Sequence, residues 1–374
     1  MKITDIKVYY KEGHQFAKVE TDEGIYGWGE SALNGRQMAI EGAIRQSAPY
    51  IIGQDPMRIQ HIWNDIFRGT FWRGGPVSQT ALSMIDNALW DIKGKALNTP
   101  VYNLLGGKTR DKLKVYHFAV GHTPEEVAAD AAKQVARGYK VVRICPGDML
   151  SPEGYYDPGN VVRNCAHTMK LVREAVGEEN EIIMEVHTRL LPVRAIELCN
   201  AIAEYRPFFV EDPTRSDAPE AFRLIRSHTN VPIGTGEKFG AKWDYRTTID
   251  EDLIDYVRTD ICTCGGISEM RNIAAYADAH YMQMVPHGVP QVGFLAAMHV
   301  DFSTPNFACQ EDWITDREKK HDWLDYDVKF EDGYLTMADR PGLGIDVDES
   351  VLGTECPQSG FPHWRQPDGS VQDW

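Results

Sequence analysis

Between residues 113 and 322 the sequence alternates eight times between a short apolar run and a longer polar or amphipathic stretch. Runs such as KVYHFAVG, KVVRIC and EIIMEVH are typical of buried strands. The stretch after the first run begins with TPEE (123–126), a helix-capping threonine, a proline and a capping-box glutamate, and ends at Gly138. Alternating strands and helices predict parallel strands, because each helical crossover returns the chain to the end of the sheet at which the previous strand began.

Eight strands, seven of them followed by a helix, within about 200 residues favour a closed (β/α)8 barrel whose last helix is shortened or replaced. An open, doubly wound sheet is the alternative, but no glycine-rich phosphate-binding fingerprint follows the first strand. The sequence therefore predicts an α/β protein with a modified (β/α)8 TIM barrel over residues 113–322.

The segments on either side of the barrel have a different pattern. Residues 1–112 place the strand-like runs ITDIKVYY and FAKVETDEGIYGWGE before helical stretches, which predicts an α+β capping domain. Residues 323–374 return to strand-like pieces such as YDVKFEDGYL. We expect this last segment to pack back on the capping domain and complete it.

Composition limits the partners of the chain. The net charge is −16, from 39 basic and 55 acidic residues, and no basic run argues for nucleic acid. No apolar run approaches the ~18 residues of a membrane span, and MKITDIKVYY lacks a signal-peptide core. Seven cysteines without a framework pattern indicate reduced thiols and a cytoplasmic location. An acidic protein repels anions, so any site for an anionic substrate needs its own positive charge.

Three glutamates stand at the ends of the third, fourth and fifth strands. Glu185, Glu211 and Glu237 are each 26 residues from the next, the length of one strand–helix unit. Neighbouring strands lie ~4.8 Å apart, so these side chains should converge at the carboxyl end of the barrel. Two carboxylates ~4 Å apart repel by roughly 4 kcal/mol, so either some are protonated or a cation lies among them. Ligands that are all oxygen atoms indicate a hard cation, and a site that keeps positions open for water and substrate favours Mg²⁺ over Ca²⁺.

Other polar residues fall at the ends of the remaining strands. His187 follows Glu185 by two positions, which in a strand places both on one face. Arg143 on the second strand is costly to bury without a glutamate partner or a substrate carboxylate. The sixth, seventh and eighth strands end near Asp260, His287 and Glu311 respectively.

Together these motifs resemble the enolase superfamily and, within it, the mandelate racemase-like acid-sugar dehydratases, especially D-galactonate and D-mannonate dehydratases. The resemblance covers essentially the whole chain. It rests on ETDEGIYGWGE, FWRGGPV and ALWDIKGK before the barrel, and on EVH, VEDP, GTGE, RTDICTCGGISE, VPHG and CQED within it. It implies that Glu185, Glu211 and Glu237 bind Mg²⁺, that an α+β domain caps the barrel and that the chains form a homo-oligomer.

The sequence departs from that family pattern at two places. The first metal ligand is commonly Asp, and here it is Glu185. The second strand often carries Lys-x-Lys, whereas here Arg143-Ile144-Cys145 lacks the second base that a racemase needs. An arginine at this position resembles the mannonate dehydratases, where it pairs with a loop tyrosine, for which Tyr155 is the candidate. The Asp260–His287 pair instead resembles the galactonate dehydratases, in which the histidine is the base.

The resemblance implies dehydration of an aldonate such as D-galactonate, D-gluconate or D-mannonate. We expect His287, oriented by Asp260, to remove the C2 proton and form a metal-stabilised enediolate. His187 would protonate the departing C3 hydroxyl, giving a 2-keto-3-deoxy sugar acid. Tyr155 with Arg143 is the alternative base. An epimerase or racemase, a cycloisomerase and a non-catalytic sugar-acid-binding protein are the other functions that this scaffold could have.

Substrate contacts are expected from both parts of the chain. Glu311 should bond a carboxylate oxygen of the substrate if it is protonated, or a hydroxyl if it is ionised, and Arg143 is a second candidate. From the capping domain, Trp72, Arg73 and the loop near Asn34 are expected to close the site over the substrate.

Overall fold

The computed structural model describes residues 1–146, 157–315, 321–357 and 364–372. The chain begins with an antiparallel sheet in which β2 lies between β1 and β3. Four helices follow it. The elements of this capping part are β1 (Ile3–Lys11), β2 (His14–Thr21), β3 (Tyr26–Ser31), α1 (Gln37–Ile51), α2 (Ile59–Arg68), α3 (Pro76–Ala96) and α4 (Val101–Leu104).

Eight parallel strands then form the barrel, as the sequence predicted. The first seven pair in chain order, and the eighth pairs with the first. A parallel bridge between Met284 and Phe307 joins the seventh strand to the segment before the eighth. These strands are β4 (Leu113–Ala119), β5 (Val141–Ile144), β6 (Glu181–Glu185), β7 (Phe209–Glu211), β8 (Ile233–Thr235), β9 (Tyr256–Val257), β10 (Gln283–Met284) and β11 (Gln310–Glu311).

Helices connect consecutive strands and cover the outside of the barrel. The first begins as the sequence predicted, because the Thr123 hydroxyl accepts the N–H of Glu126 and the Glu126 carboxylate accepts that of His122. The helices are α5 (Pro124–Ala136), α6 (Pro158–Val176), α7 (Pro192–Ile202), α8 (Ala221–Arg226), α9 (Arg246–Asp250), α10 (Gly266–Asp278) and α11 (Gln291–Ser303).

The central helix of the capping part, α3, is buried along most of its length because it lies between β3 and α10. Two glycines of the GIYGWGE motif allow this close packing. A Cβ atom at Gly27 would lie 2.0 Å from the carbonyl oxygen of Ala88, and one at Gly29 would lie 1.9 Å from that of Met84. Only glycine lets the strand approach the helix backbone this closely.

Polar side chains of α3 also hold the start of α10 on the barrel. They accept the N–H groups that a helix start leaves without intrahelical partners. Ser83 accepts from Gly265 at 2.8 Å, Asn87 from Ile267 at 3.0 Å and Asp86 from Ser268 at 2.9 Å. The capping part is therefore bonded directly to the turn that follows Asp260.

The C-terminal segment contacts both preceding parts. Its strands are β12 (Leu324–Tyr326), β13 (Val328–Glu331), β14 (Tyr334–Met337) and β15 (Ile345–Val347). Strand β14 pairs antiparallel with β4 of the barrel. On the capping side, Asp346 accepts hydrogen bonds from Tyr26 at 2.8 Å and Trp28 at 2.9 Å. Within the described ranges, no helix combines the length and apolarity needed to cross a membrane.

Candidate active site

The carboxylates predicted to bind metal lie at the carboxyl ends of three consecutive strands. Glu185 and Glu211 are opposite each other in the pairing of β6 with β7, and both side chains are fully buried. Glu237 lies two residues beyond the end of β8. The equal spacing of these glutamates in the sequence thus corresponds to neighbouring positions at one end of the barrel.

His187 reaches this end of the barrel by a route that strand periodicity does not describe. Strand β6 ends at Glu185, and His187 and Thr188 have left-handed φ values of 50° and 62°. Alternation along a strand therefore does not explain why the imidazole lies near the carboxylate. Instead the chain turns, the Glu185 carboxylate accepts the His187 backbone N–H, and His187 Nε2 lies 3.9 Å from Glu185 Oε2. On its other side, His187 Nδ1 is 3.4 Å from Cys145 Sγ.

His287 is held between two carboxylates. Its Nδ1 lies 2.9 Å from Asp260 Oδ2, and its Nε2 lies 3.1 Å from Glu237 Oε2. The other oxygen of Asp260 accepts the N–H of Cys262 at 2.7 Å, which fixes the carboxylate. Burial lowers the pKa of His287, but Glu237 and Asp260 outweigh that effect and raise the pKa to about 9. The imidazole therefore has one nitrogen oriented by Asp260 and the other directed to the carboxylate cluster.

Arg143 lies among the carboxylates on the second barrel strand. Its Nη1 is 3.3 Å from Glu185 Oε2 and 3.3 Å from Glu311 Oε1, and the guanidinium lies 4.5 Å from the centre of the Phe118 ring. Arg143 is therefore paired with two glutamates. Tyr155, the tyrosine predicted to act with it, lies outside the described residues.

Glu311 is a fully engaged, ionised acceptor. It accepts hydrogen bonds from Arg258 and from the N–H of Gly288, both at 2.7 Å, and from Trp313 at 3.3 Å. Position 288 needs glycine, because a Cβ there would lie 2.0 Å from Trp313 Nε1. Burial alone would raise the pKa of Glu311, but Arg143 and Arg258 hold it well below the usual range.

Two buried residues of the site were missed from the sequence. Arg258 precedes Asp260 by two positions, so strand alternation could have placed both towards the barrel interior. Its guanidinium contacts Glu211 and Glu311. Asp212, directly after Glu211, is a further buried carboxylate, and its Oδ1 accepts the Thr235 hydroxyl.

The residues predicted to close the site lie on the capping part, away from these contacts. Trp72 and Arg73 belong to the loop between α2 and α3, where they line a cleft of about 690 Å³ together with Tyr50. The Trp72 side chain is 82% exposed. Asn34 follows β3, and its N–H is bonded to the carbonyl of Ala32. Closure by these residues stays a prediction.

The three glutamates do not surround a common point in this structure. Among the described residues, no three Asp, Glu, His or Cys side chains are placed so that they could hold an ion together. Glu211 turns one oxygen to Arg258, and Glu237 turns one to His287. Carboxylates about 4 Å apart would repel by roughly 4 kcal/mol, so each pairs with a cationic neighbour. Shared binding of one ion by all three stays a prediction.

The chemistry of these donors nevertheless fits a hard divalent cation. Oε2 of Glu211 and Oδ2 of Asp212 are buried and accept no hydrogen bond from any described residue. Burial, with the charges of Glu237 and Glu211, raises the pKa of Asp212 to about 8. Buried carboxylate oxygens without donors are the ligands that Mg²⁺ takes. The residues that would hold the ion are Glu185, Glu211 and Glu237.

Two family models match this chain. Residues 9–106 match the N-terminal domain of the mandelate racemase / muconate lactonizing enzyme family, and residues 126–351 match the enolase C-terminal domain-like family. The chain belongs to the enolase superfamily. The described fold, a capping part followed by a (β/α)8 barrel, is the enolase-superfamily architecture that the sequence predicted.

Relatives within the enolase superfamily are similar over their full length. The chain is 37% identical to the D-mannonate dehydratase of Sphingomonas sp. (strain SKA58) and 35% identical to the D-galactonate dehydratase of Ralstonia pickettii (strain 12J), with 100% of each chain covered. A similar solved structure is an enolase from Pantoea ananatis with bound D-gluconate and Mg. It is 32% identical, with a TM-score of 0.91 over 99% of both chains.

Proposed function

We propose that this protein is a Mg²⁺-dependent dehydratase of sugar acids. It would remove the C2 proton of an aldonate such as D-galactonate, D-gluconate or D-mannonate and eliminate the C3 hydroxyl as water. The product would be a 2-keto-3-deoxy sugar acid. The proposal is supported by full-length similarity to relatives named D-mannonate and D-galactonate dehydratase.

One observation carries the chemical part of the proposal. A histidine hydrogen-bonded to an aspartate, His287 with Asp260, lies at the same barrel end as the buried carboxylates Glu185 and Glu211. The aspartate fixes the tautomer and orientation of the imidazole. Nε2 would accept the C2 proton from the neutral imidazole, a form that is favoured once Glu237 binds a cation and no longer helps to raise the His287 pKa to about 9. A base next to a cluster of metal ligands is the arrangement needed to remove a proton α to a carboxylate.

Each step can be assigned to a residue of the chain. His287 Nε2 takes the C2 proton, and the electron pair of the C2–H bond remains on the substrate. Mg²⁺, when bound, would stabilise the second negative charge that the substrate carboxylate then carries. His187 donates a proton to the C3 oxygen as the C3–O bond breaks, so the hydroxyl leaves as water. The resulting enol takes a proton at C3, loses the proton of its C2 hydroxyl and becomes the ketone.

Two charged residues are suited to hold the substrate. Arg143 supplies the local positive charge that an anionic substrate needs in a chain of net charge −16. Glu311 is ionised and would accept a hydrogen bond from a substrate hydroxyl that displaces one of the two 3.3 Å contacts of its Oε1, those with Trp313 and Arg143. Trp72, Arg73 and Asn34 would close the site only after the capping loops move.

A screen of aldonates with purified protein in D₂O tests the proposed function. Incubation with Mg²⁺ should convert at least one of D-galactonate, D-gluconate and D-mannonate into a 2-keto-3-deoxy acid with deuterium at C3. The same protein stripped with a chelator should be inactive and should recover when Mg²⁺ is added. NMR of the product follows both the elimination and the position of the deuterium.

Other outcomes of the screen contradict the proposal. Recovery of an epimer with deuterium at C2 and no loss of water would indicate an epimerase. Consumption of a lactone without release of water would indicate a cycloisomerase. Binding of Mg²⁺ and aldonate without turnover across the whole library would indicate a non-catalytic binding protein.

A further inference from the structure

We propose that Arg258 is a positioning residue that aligns the metal ligand Glu211 and the base His287 at the same time. Arg258 contacts both parts of the site through one guanidinium group. The inference depends on the proposed function for the roles of Glu211 and His287, and its own content is the coupling between them.

All the N–H donors of the Arg258 side chain have partners. Nε bonds Glu211 Oε1 at 2.5 Å, and Nη2 contacts the same oxygen as well as Glu311 Oε2 at 2.7 Å. Nη1 bonds two backbone carbonyls, those of Val285 and Pro286, both at 2.8 Å. The side chain is fully buried. A guanidinium held in this way has one orientation available to it, because any rotation would leave a buried donor without a partner.

The backbone on both sides of His287 is fixed by this group. The carbonyl of Pro286, the residue before His287, accepts from Arg258 directly. The N–H of Gly288, the residue after it, donates to Glu311 Oε2 at 2.7 Å, the same oxygen that Arg258 contacts. Arg258 and Glu311 therefore hold the two peptide groups that flank the base. A shift of the guanidinium would displace the imidazole from the substrate.

The same guanidinium determines which oxygen of Glu211 is free. Oε1 is held by Arg258, whereas Oε2 is buried and accepts no hydrogen bond from any described residue. Arg258 thus leaves Oε2 as the oxygen available to a cation. Residues that orient metal ligands typically change metal affinity by 10–100-fold when they are replaced.

Lysine could not make this set of contacts, because one ammonium has three donors and lacks the planar fork of a guanidinium. A matched control exists at the opposite end of the barrel. Arg173 is also buried, and it bonds four backbone carbonyls before β6 and β7, those of Gly177, Asn180, Tyr205 and Arg206. Replacing Arg173 therefore disrupts a set of buried arginine hydrogen bonds of similar size that does not include any residue of the candidate site.

The experiment compares the wild type with Arg258→Lys and Arg173→Lys. Titration calorimetry measures Mn²⁺ affinity, and NMR in D₂O measures exchange of the C2 hydrogen of an aldonate at saturating Mn²⁺. We expect Arg258→Lys to bind Mn²⁺ about 10–100-fold more weakly and to exchange the C2 hydrogen at least about 10-fold more slowly. Arg173→Lys should unfold at lower denaturant but keep both values within about twofold of wild type.

A second variant separates the effect of Arg258 on Glu211 from its effect on His287, and it remains informative if Arg258→Lys fails to fold. Glu311→Gln weakens the contacts with Gly288 and with Arg258 Nη2 but leaves the Arg258 Nε contact with Glu211. Exchange at saturating aldonate should therefore fall, while Mn²⁺ affinity should fall by less than in Arg258→Lys. Unchanged exchange in this variant would overturn the claim that Arg258 and Glu311 position His287. Equal values for Arg258→Lys and Arg173→Lys would overturn the whole inference. A wild type that neither binds Mn²⁺ nor exchanges the C2 hydrogen would overturn the proposed function as well.

Discussion

Two aspartate–histidine pairs flank the same two strands, β9 and β10, at opposite ends of the barrel. At the carboxyl ends, Asp260 lies 2.9 Å from His287; at the amino ends, Asp252 lies 3.0 Å from His280. The distances are alike, but the side chain of Asp260 is 4% exposed and that of Asp252 is 71% exposed. A hydrogen-bonded aspartate–histidine pair by itself therefore does not mark the candidate active site. Burial of the aspartate and a second carboxylate, Glu237 at 3.1 Å from His287 Nε2, distinguish the pair at the carboxyl end.

A third histidine shows the effect of burial without a carboxylate. His299 on α11 is fully buried, and its Nδ1 accepts the N–H of Tyr102 at 3.1 Å. Burial lowers the pKa of His299 to about 4, whereas the carboxylates around His287 raise its pKa to about 9. Burial without a neighbouring carboxylate therefore favours the neutral imidazole, as at His299. Neighbouring carboxylates favour the charged form even in a buried site, as at His287.

The largest expected effect separates the two aspartate–histidine pairs. His287→Asn should lower kcat by about 10²–10⁴-fold, because it removes the general base, and should abolish exchange of the C2 hydrogen. His280→Asn removes the equivalent partner at the other end and should leave kcat within about twofold. Steady-state assays with Mg²⁺ and the aldonate found in the screen measure both variants.

The outcome also decides between the two candidate bases. If His287→Asn still exchanges the C2 hydrogen at the wild-type rate, the base is elsewhere, and Arg143 with Tyr155 becomes the leading alternative. If His280→Asn is as inactive as His287→Asn, the loss reflects the folding of β9 and β10 rather than proton transfer.

A second prediction compares the two ends of one strand. Glu185 and Glu181 are the last and first residues of β6. Glu185→Gln should weaken Mn²⁺ binding by about 100-fold or more, since a neutral amide replaces a charged metal ligand. Glu181→Gln should leave the affinity unchanged within about twofold. Calorimetric titration of both variants measures this; equal affinities would remove Glu185 from the metal site.

The barrel and the grouping of its polar ends could be predicted from the sequence because both depend on repeated local patterns. Each strand–helix unit returns the chain to the same end of the barrel. Because Glu185 and Glu211 are separated by one such unit, they lie opposite each other in neighbouring strands. The start of α5 was likewise predictable from the local chemistry of Thr123 and Glu126.

The details of the site depend on interactions that no local pattern contains. The left-handed turn at His187 replaces the strand that alternation assumed. The partners of Arg258 include the backbone carbonyls of Val285 and Pro286, and backbone atoms carry no signature in the sequence. The pairing of each carboxylate with Arg143, Arg258 or His287 is likewise set by tertiary packing among several strands, since any of these cations could reach more than one carboxylate.

The smallest expected effect concerns stability and comes from His299. Its pKa of about 4 in the folded protein lies below the value of about 6.5 for an unfolded histidine. Between these values the unfolded chain binds more protons, so the free energy of unfolding falls as pH decreases through this window and is fully retained above it. The loss of unfolding free energy due to His299 should be about 2–3 kcal/mol between pH 7.5 and pH 4.5.

The variant His299→Gln tests this value. It keeps an acceptor for the N–H of Tyr102 and should lose correspondingly less unfolding free energy over the same pH range. Urea denaturation of both proteins at several pH values measures the free energy of unfolding. If it changes with pH equally in the wild type and in His299→Gln, His299 is not the source of the pH dependence.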